Sequence, residues 1–243
     1  MTASVARDPI RTTPYTTVIL AMSADGKIAA ADRGAARFPS RFDQQHLQTR
    51  IAEADATLFG AGTLRAYGTT RSITHADLLQ RRRDQGKTAQ PIHIVCSASA
   101  SLDPDWRFFA QPVPRWLLTT PAAAAQWYEH PGFDRILPLL SPSSDWPNIF
   151  AHLQTQGIHR LLVMGGGQLV AALAAADLLD ELWLTVCPLL VGGQTAPTPM
   201  DGPGFSVSAA PQLQLLSAEP VGNEVFLHYR RVRSSPLTTQ PSQ

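Results

Sequence analysis

The chain has 243 residues, enough for one large domain or two small ones, and 44% of them are apolar. Charged residues make up 16% and the net charge is +1, which excludes wholesale disorder and leaves no basic field of the kind duplex binders carry. Two cysteines exclude a disulfide scaffold, the opening MTASVARDPIRTTP lacks the apolar stretch of a signal peptide, and no run reaches the roughly 18 apolar residues of a membrane span. The expectation is a cytoplasmic protein with no membrane or nucleic-acid partner.

In chain order, residues 1–13 read as a loose, flexible N-terminal arm and Tyr15–Met22 (YTTVILAM) as a strand rich in β-branched residues. Ser40–Ala54 carries helical spacing, with Phe42, Leu47 and Ile51 recurring near i, i+4 or i+5 and polar residues between. Ala56–Phe59 is a short buried strand that stops at Gly60. Residues 66–91 are polar and irregular, and within them Ala76–Gln85 reads as an exposed helix whose Arg81–Arg83 run is a solvated face. Strands follow at Pro91–Ser97, Arg115–Thr119 and Ile136–Leu140, with helices near 121–129 and at Pro147–Gln156. Ile158–Met164 is a strong strand, Leu169–Leu178 a helix, and Asp180–Val191 the longest strand candidate. Leu213–Glu219 and Glu224–Arg233 close the chain as an antiparallel pair before a polar, disordered tail at 234–243. Strands alternating with helices predict one α/β domain over 14–233, with a central, mostly parallel mixed sheet, helices on both faces and that C-terminal pair.

Four loops hold chemistry-bearing residues. Gly165-Gly166-Gly167 and Gln168 stand between a strand and a helix, where unpaired N–H groups and the positive helix end suit a phosphate; a plain tight turn explains the glycines equally well. The pattern is not G-x-G-x-x-G, and no acidic residue stands about 20 residues on at the end of a second strand, so a standard Rossmann unit is excluded. Gly60-Ala61-Gly62-Thr63 also follows a strand, and Thr63 either bonds a ligand or caps the next turn. Asp25-Gly26-Lys27 follows the first strand and projects Lys27 from a strand end. The fourth loop joins Gly192-Gly193 to Ala196-Pro197-Thr198, Asp201-Gly202 and Gly204-Phe205. No catalytic triad, P-loop or zinc-deaminase signature occurs, and Cys96, Cys187, His46, His93 and His152 read as packing or surface residues.

Taken in order, YTTVILAMSADGKIA (15–29), IAEADATLFGAGTLRA (51–66), PIHIVCS (91–97), IHRLLVMGGGQLVAALAAADLLDELWLTVCPLLVGG (158–193) and APT-x-x-DG-x-GF (196–205) resemble the C-terminal reductase domain of the riboflavin-biosynthesis deaminase-reductase and its stand-alone archaeal relatives. The resemblance spans nearly all of 14–231. It implies a dihydrofolate-reductase-like fold, a homodimer, NADPH as hydride donor, and a phosphorylated ribosylaminopyrimidine substrate whose ribose becomes a ribityl chain. It also implies site roles. Thr63, Ser97, Gly165, Gly166, Gly167 and Gln168 take the cofactor, Ser97 near the adenosine 2′-phosphate. Lys27 stands on the substrate side and is the catalytic candidate, orienting or polarising the sugar oxygen.

The departures fall on the substrate side. Met164 occupies the place of the family's acidic residue before the glycine loop. Tyr67-Gly68 replaces Asp-Asp-Pro, Arg37-Phe38-Pro39-Ser40 replaces a Trp-Ile-Ser-like segment, and Ile51 holds the place of an arginine, with Arg50 beside it. Arg37, Arg50 and Arg65 are the candidate phosphate ligands. Two alternatives stand beside the riboflavin-pathway reductase. One is an NADPH reductase of the same fold with another pterin-like, pyrimidine or carbonyl substrate. The other is a non-catalytic nucleotide-binding protein.

Overall fold

The computed structural model describes residues 11–141 and 144–233; residues 1–10 of the arm and the tail 234–243 lie outside the described residues. Among the described residues nine strands form one sheet: β1 (Tyr15–Ser23), β2 (Ala56–Gly60), β3 (Ile92–Cys96), β4 (Arg115–Leu118), β5 (Arg135–Leu137), β6 (Arg160–Val163), β7 (Glu181–Cys187), β8 (Leu213–Val221) and β9 (Glu224–Arg231). Their order across the sheet is β5-β4-β3-β2-β6-β1-β7-β9-β8. The first seven run parallel; β9 pairs antiparallel with β7, and β8 with β9.

The helices are α1 (Arg41–Glu53), α2 (Ala61–Tyr67), α3 (Ala76–Asp84), α4 (Arg107–Ala110), α5 (Pro121–Ala124), α6 (Trp146–Thr155) and α7 (Gly167–Ala175). Strand alternation sorts them onto two faces. On one face Val18, Leu20, Leu58, Ile94, Leu161 and Val163 pack against Ile149, Phe150 and Leu153 of α6 and Leu169, Val170 and Leu173 of α7. On the other, Phe59, Val95 and Leu117 meet Leu64 of α2, Phe108 of α4 and Ala123 of α5. There too Ile19 and Leu162 meet Ile51 of α1 and Leu78 of α3. Each fully buried Leu or Phe contributes roughly 1.5–3 kcal/mol, and a sheet buried on both faces explains why β2 and β6 read as continuous apolar runs rather than alternating ones.

Several expectations needed correction. The strand expected over Asp180–Val191 stops at Cys187, and the one expected over Ile136–Leu140 stops at Leu137. Proline is the shared cause: Pro188 and Pro138 have no N–H to continue a ladder, and Leu189 and Leu139 then donate back across the proline to Cys187 and Leu137, each at 2.9 Å. Helix α2 was unrecognised because Ala61-Gly62-Thr63 reads as a turn. Phe42 is 43% exposed and off the core face of α1, whereas Ile51 is fully buried. Arg81 and Arg83 are exposed, but Arg82 is not part of a solvated face. It is 1% exposed, and its guanidinium donates to the carbonyls of Ala52 (2.9 Å), Ala54 (2.7 Å) and Thr88 (2.7 Å).

No helix among the described residues is long and apolar enough to cross a membrane. The described end of the N-terminal arm is tied down, since Arg11 pairs with the buried Asp180 at 2.7 Å. Cys96 and Cys187 are both free, and burial pushes each thiol up to about 12. His93 is a core histidine: the hydroxyls of Thr57 and Thr70 stand 3.1 and 3.0 Å from its Nδ1, and burial pushes it down to about 3.

Candidate active site

The connections leave β1 and β6 on opposite faces of the sheet. After β1 the chain climbs over α1 toward β2; after β6 it passes through α7 on the other face to β7. At such a reversal open α/β sheets bind ligands, in the crevice outside the carboxyl ends of their strands. Four neighbouring strands, β3-β2-β6-β1, deliver Ser97, Thr63, Gly165–Gln168 and Lys27 to that edge in this order. At about 4.8 Å per strand, the row from Ser97 to Lys27 spans roughly 14 Å.

The glycine loop and Thr63 meet directly. The Gly60 N–H donates to the Gly165 carbonyl (3.2 Å), which draws the start of α2 against the loop. A Cβ placed on Gly166 would stand 3.7 Å from the Thr63 Oγ1, and one on Gly165 would stand 3.0 Å from Leu20 Cδ2 and 4.0 Å from the same hydroxyl. Gly165 has φ +101, a left-handed conformation suited to glycine. Gly166 is the N-cap of α7 and supplies no side-chain cap, so the first-turn amides, which lack an intrahelical acceptor in any helix, have no capping side chain either. Thr63 is not itself a cap, because Gly60 occupies that position of α2. Gln168 is exposed on the first turn of α7. An open backbone cradle, free amides, a positive helix end and a hydroxyl fit the pyrophosphate of a dinucleotide.

Ser97 lies at the end of β3, 5% exposed, and its hydroxyl accepts the Ala100 N–H at 3.1 Å. That bond ties down a turn in which Ala100 has φ +51, and it leaves the hydroxyl proton available.

Lys27 sits in a braced loop. The Asp25 carboxylate accepts from the Ser23 hydroxyl (2.6 Å) and from the N–H groups of Val191 (3.0 Å) and Gly192 (2.6 Å). These donors hold Asp25 down at about 2, the Ser23 hydroxyl first among them. The Ser23 hydroxyl also accepts the Lys27 N–H (2.9 Å), and the Lys27 ammonium donates to the Ala196 carbonyl (3.3 Å).

Of the substrate-side candidates, Met164 is half-buried at the end of β6 and packs into both clusters on the α1–α5 face. Arg65 is exposed on α2 with no side-chain hydrogen bond or ion pair among the described residues. Arg50 is not brought to the crevice. It lies near the end of α1, 5.0 Å over the Trp183 ring and 3.1 Å from Glu53, and lines a small cavity with Tyr15, Thr17 and Arg160 at the amino ends of β1 and β6. The reason is directional: α1 runs back from the carboxyl edge, so its last turn reaches the opposite one.

The structure also assembles a group that sequence reasoning missed. Glu224, 4% exposed at the start of β9, accepts from the Ser40 N–H (2.9 Å) and hydroxyl (2.5 Å) and from the Cys187 thiol (3.5 Å). Asp43, 7% exposed, lies beside it within reach of the Thr185 hydroxyl; burial raises it above the ordinary carboxylate range, and the neighbouring Glu224 adds to the rise. These five residues lie up to 184 positions apart, and no local motif announces them.

Known proteins share this architecture. The chain is 26% identical over 193 residues to the 2,5-diamino-6-ribosylamino-4(3H)-pyrimidinone 5′-phosphate reductase of Archaeoglobus fulgidus, covering 79% of this chain and 88% of that one. It is 26% identical over 218 residues to the reductase of the same name from Methanothermobacter thermautotrophicus, covering 89% and 97%. The Escherichia coli riboflavin biosynthesis protein RibD is 28% identical over 223 residues, and there the match covers 88% of this chain but 59% of RibD. Among solved structures, a pyrimidine reductase-like protein of Corynebacterium diphtheriae superposes with a TM-score of 0.77 at 19% identity, covering 91% and 93% of the two chains. RibD of Acinetobacter baumannii gives a TM-score of 0.72 at 18% identity, covering 91% of this chain and 59% of its own. The RibD C-terminal domain family matches residues 14–227, and the chain belongs to that family.

Proposed function

We propose that the protein is an NADPH-dependent reductase of riboflavin biosynthesis. In this reading it reduces the ribose of a phosphorylated ribosylaminopyrimidine, either the diamino compound or its deaminated uracil counterpart, to the ribityl chain. The observation that carries the proposal is the row of Ser97, Thr63, Gly165–Gln168 and Lys27 along four adjacent strand ends, in a chain matched over 79% and 89% of its length by two reductases named for such a substrate.

NADPH supplies the hydride when bound; this chain's residues place and orient. The amides at the start of α7 and the Thr63 hydroxyl hold the pyrophosphate, and Ser97 donates to the adenosine side. Lys27, on the next strand, would orient the sugar oxygen and stabilise the negative charge that hydride transfer develops there, and water would supply the proton that completes the reduction. Arg65, exposed on α2 two residues after Thr63, is the candidate for the substrate phosphate in this reading. The same reading has the enzyme as a cytoplasmic homodimer. In support of the homodimer, no strand among the described residues pairs with the outer edge of β8, which exposes Leu213, Leu215 and Leu216 at 44%, 52% and 36%.

Loss of absorbance at 340 nm tests the proposal, with the diamino and the deaminated pyrimidine offered side by side. Turnover of either establishes the pathway and the order of deamination and reduction. NADPH binding without turnover of either favours a second reading, a reductase of the same fold with a different substrate. The observation behind that reading is apolar packing at Met164 and Ile51, where the resemblance expects an acid and an arginine.

A further inference from the structure

The segment from Ala196 to Asp201 joins the two halves of the crevice. At one end the Lys27 ammonium donates to the Ala196 carbonyl (3.3 Å) and the Ile28 N–H to the Pro197 carbonyl (2.9 Å). At the other end the Asp201 N–H donates to the Gly167 carbonyl (3.1 Å). The approach there is so close that a Cβ on Gly167 would stand 2.4 Å from the Thr198 carbonyl oxygen and 2.7 Å from Asp201 Oδ2. One side chain closes this strap on itself: Asp201 Oδ1 accepts both the Thr198 N–H (3.0 Å) and the Thr198 hydroxyl (2.8 Å).

We propose that Asp201 is a positioning residue, a latch that seats the 196–201 strap on the first turn of α7 and so holds Lys27 at a set distance from the glycine loop. The strap's only side-chain clasp onto itself among the described residues is the Asp201–Thr198 pair. With the clasp open, the Ala196 and Pro197 carbonyls no longer stay where Lys27 and Ile28 need them. The latch acts through an acceptor atom rather than through charge. A neutral acceptor at the same atom therefore serves the latch as well as the carboxylate does.

The inference rests on the proposed function for its kinetic arm only; a second arm does not depend on it. In the full chain, Asp201→Ala should speed amide hydrogen exchange at Ile28, 173 residues away in sequence, by about tenfold, the scale of one lost hydrogen bond. It should also lower kcat and weaken NADPH binding by a comparable factor. Asp201→Asn keeps an acceptor at Oδ1 and should restore Ile28 protection and kcat to within about threefold of the parent. Thr198→Val removes one of the two donors and should raise Ile28 exchange to an intermediate level, which decides the matter if the alanine variant does not fold. Unchanged Ile28 exchange in Asp201→Ala or in Thr198→Val overturns the latch. So does an asparagine variant as impaired as the alanine one, which would assign the effect to charge. If the parent protein neither binds NADPH nor turns over a pyrimidine, the proposed function falls, and the exchange arm still decides the latch.

Discussion

Thr63 and Gly166 face each other across the ends of β2 and β6, with the threonine hydroxyl 3.7 Å from where a side chain on the glycine would begin. That distance is ordinary van der Waals contact, and Gly166 has negative φ, −45. A methyl group is therefore tolerated, whereas a larger side chain fills the cradle. Gly166→Ala should fold and bind NADPH within about threefold of the parent. Gly166→Val should fold yet weaken NADPH by at least about tenfold, on the scale of losing one or two hydrogen bonds to the phosphates. Fluorescence titration of NADPH reads both. Unaltered affinity in the valine variant would remove the phosphate role from this loop.

Lys27 stands one strand over from the glycine loop, and its braced backbone does not depend on its side chain. Lys27→Ala should lower kcat by about a hundredfold, the typical cost of one charge-stabilising donor, and leave the dissociation constant of NADPH nearly unchanged. Steady-state kinetics beside a cofactor titration separates the two effects. Wild-type turnover in the variant would reduce Lys27 to a turn residue.

His46 makes the fold sensitive to mild acid. Burial chiefly, with Arg50 and His228 adding, pushes its imidazole from 6.5 down to about 4. The unfolded chain therefore takes up a proton near pH 6.5 that the folded chain refuses until about pH 4, so stability falls as pH falls through that window. The ring meets Trp183 edge-on at 4.7 Å and Phe226 at 5.2 Å, contacts that phenylalanine can reproduce. His46→Phe should lose less stability than the parent between pH 6.5 and 4 in urea melts. His93, which titrates about as low, leaves a residual slope in both.

Arg82 satisfies three backbone carbonyls from a buried position, and its neighbour Arg83 reaches only Gln80 on the surface of α3. Arg82→Met strips the Ala52, Ala54 and Thr88 carbonyls of their donor and should cost about 3 kcal/mol or more. Arg83→Met should change stability by less than about 0.5 kcal/mol. Chemical denaturation of the pair distinguishes a structural arginine from a solvated one within a single tripeptide.

Most element types, the α/β class and the loops at strand ends were legible in the chain, because those follow from local periodicity, β-branching, glycine and proline; the short helices α2 and α4 were not. Ser40 as the start of α1 and Gly60 as the end of β2 were legible for that reason, and so were Lys27, Thr63 and Gly165–Gly167 as candidates. Which of these meet depends on the order of the strands in the sheet. The insertion of β6 between β2 and β1 sets the glycine loop against Thr63 and beside Lys27, while the backward run of α1 carries Arg50 to the opposite edge. Chain crossing likewise buried Arg82 within an arginine run, gathered Ser40, Asp43, Thr185, Cys187 and Glu224 around one another, and laid Asp201 on Gly167. Periodicity reports how a residue sits on its own element; adjacency between elements is set by how the sheet is ordered and which face each crossover covers, and no short stretch of chain contains that information.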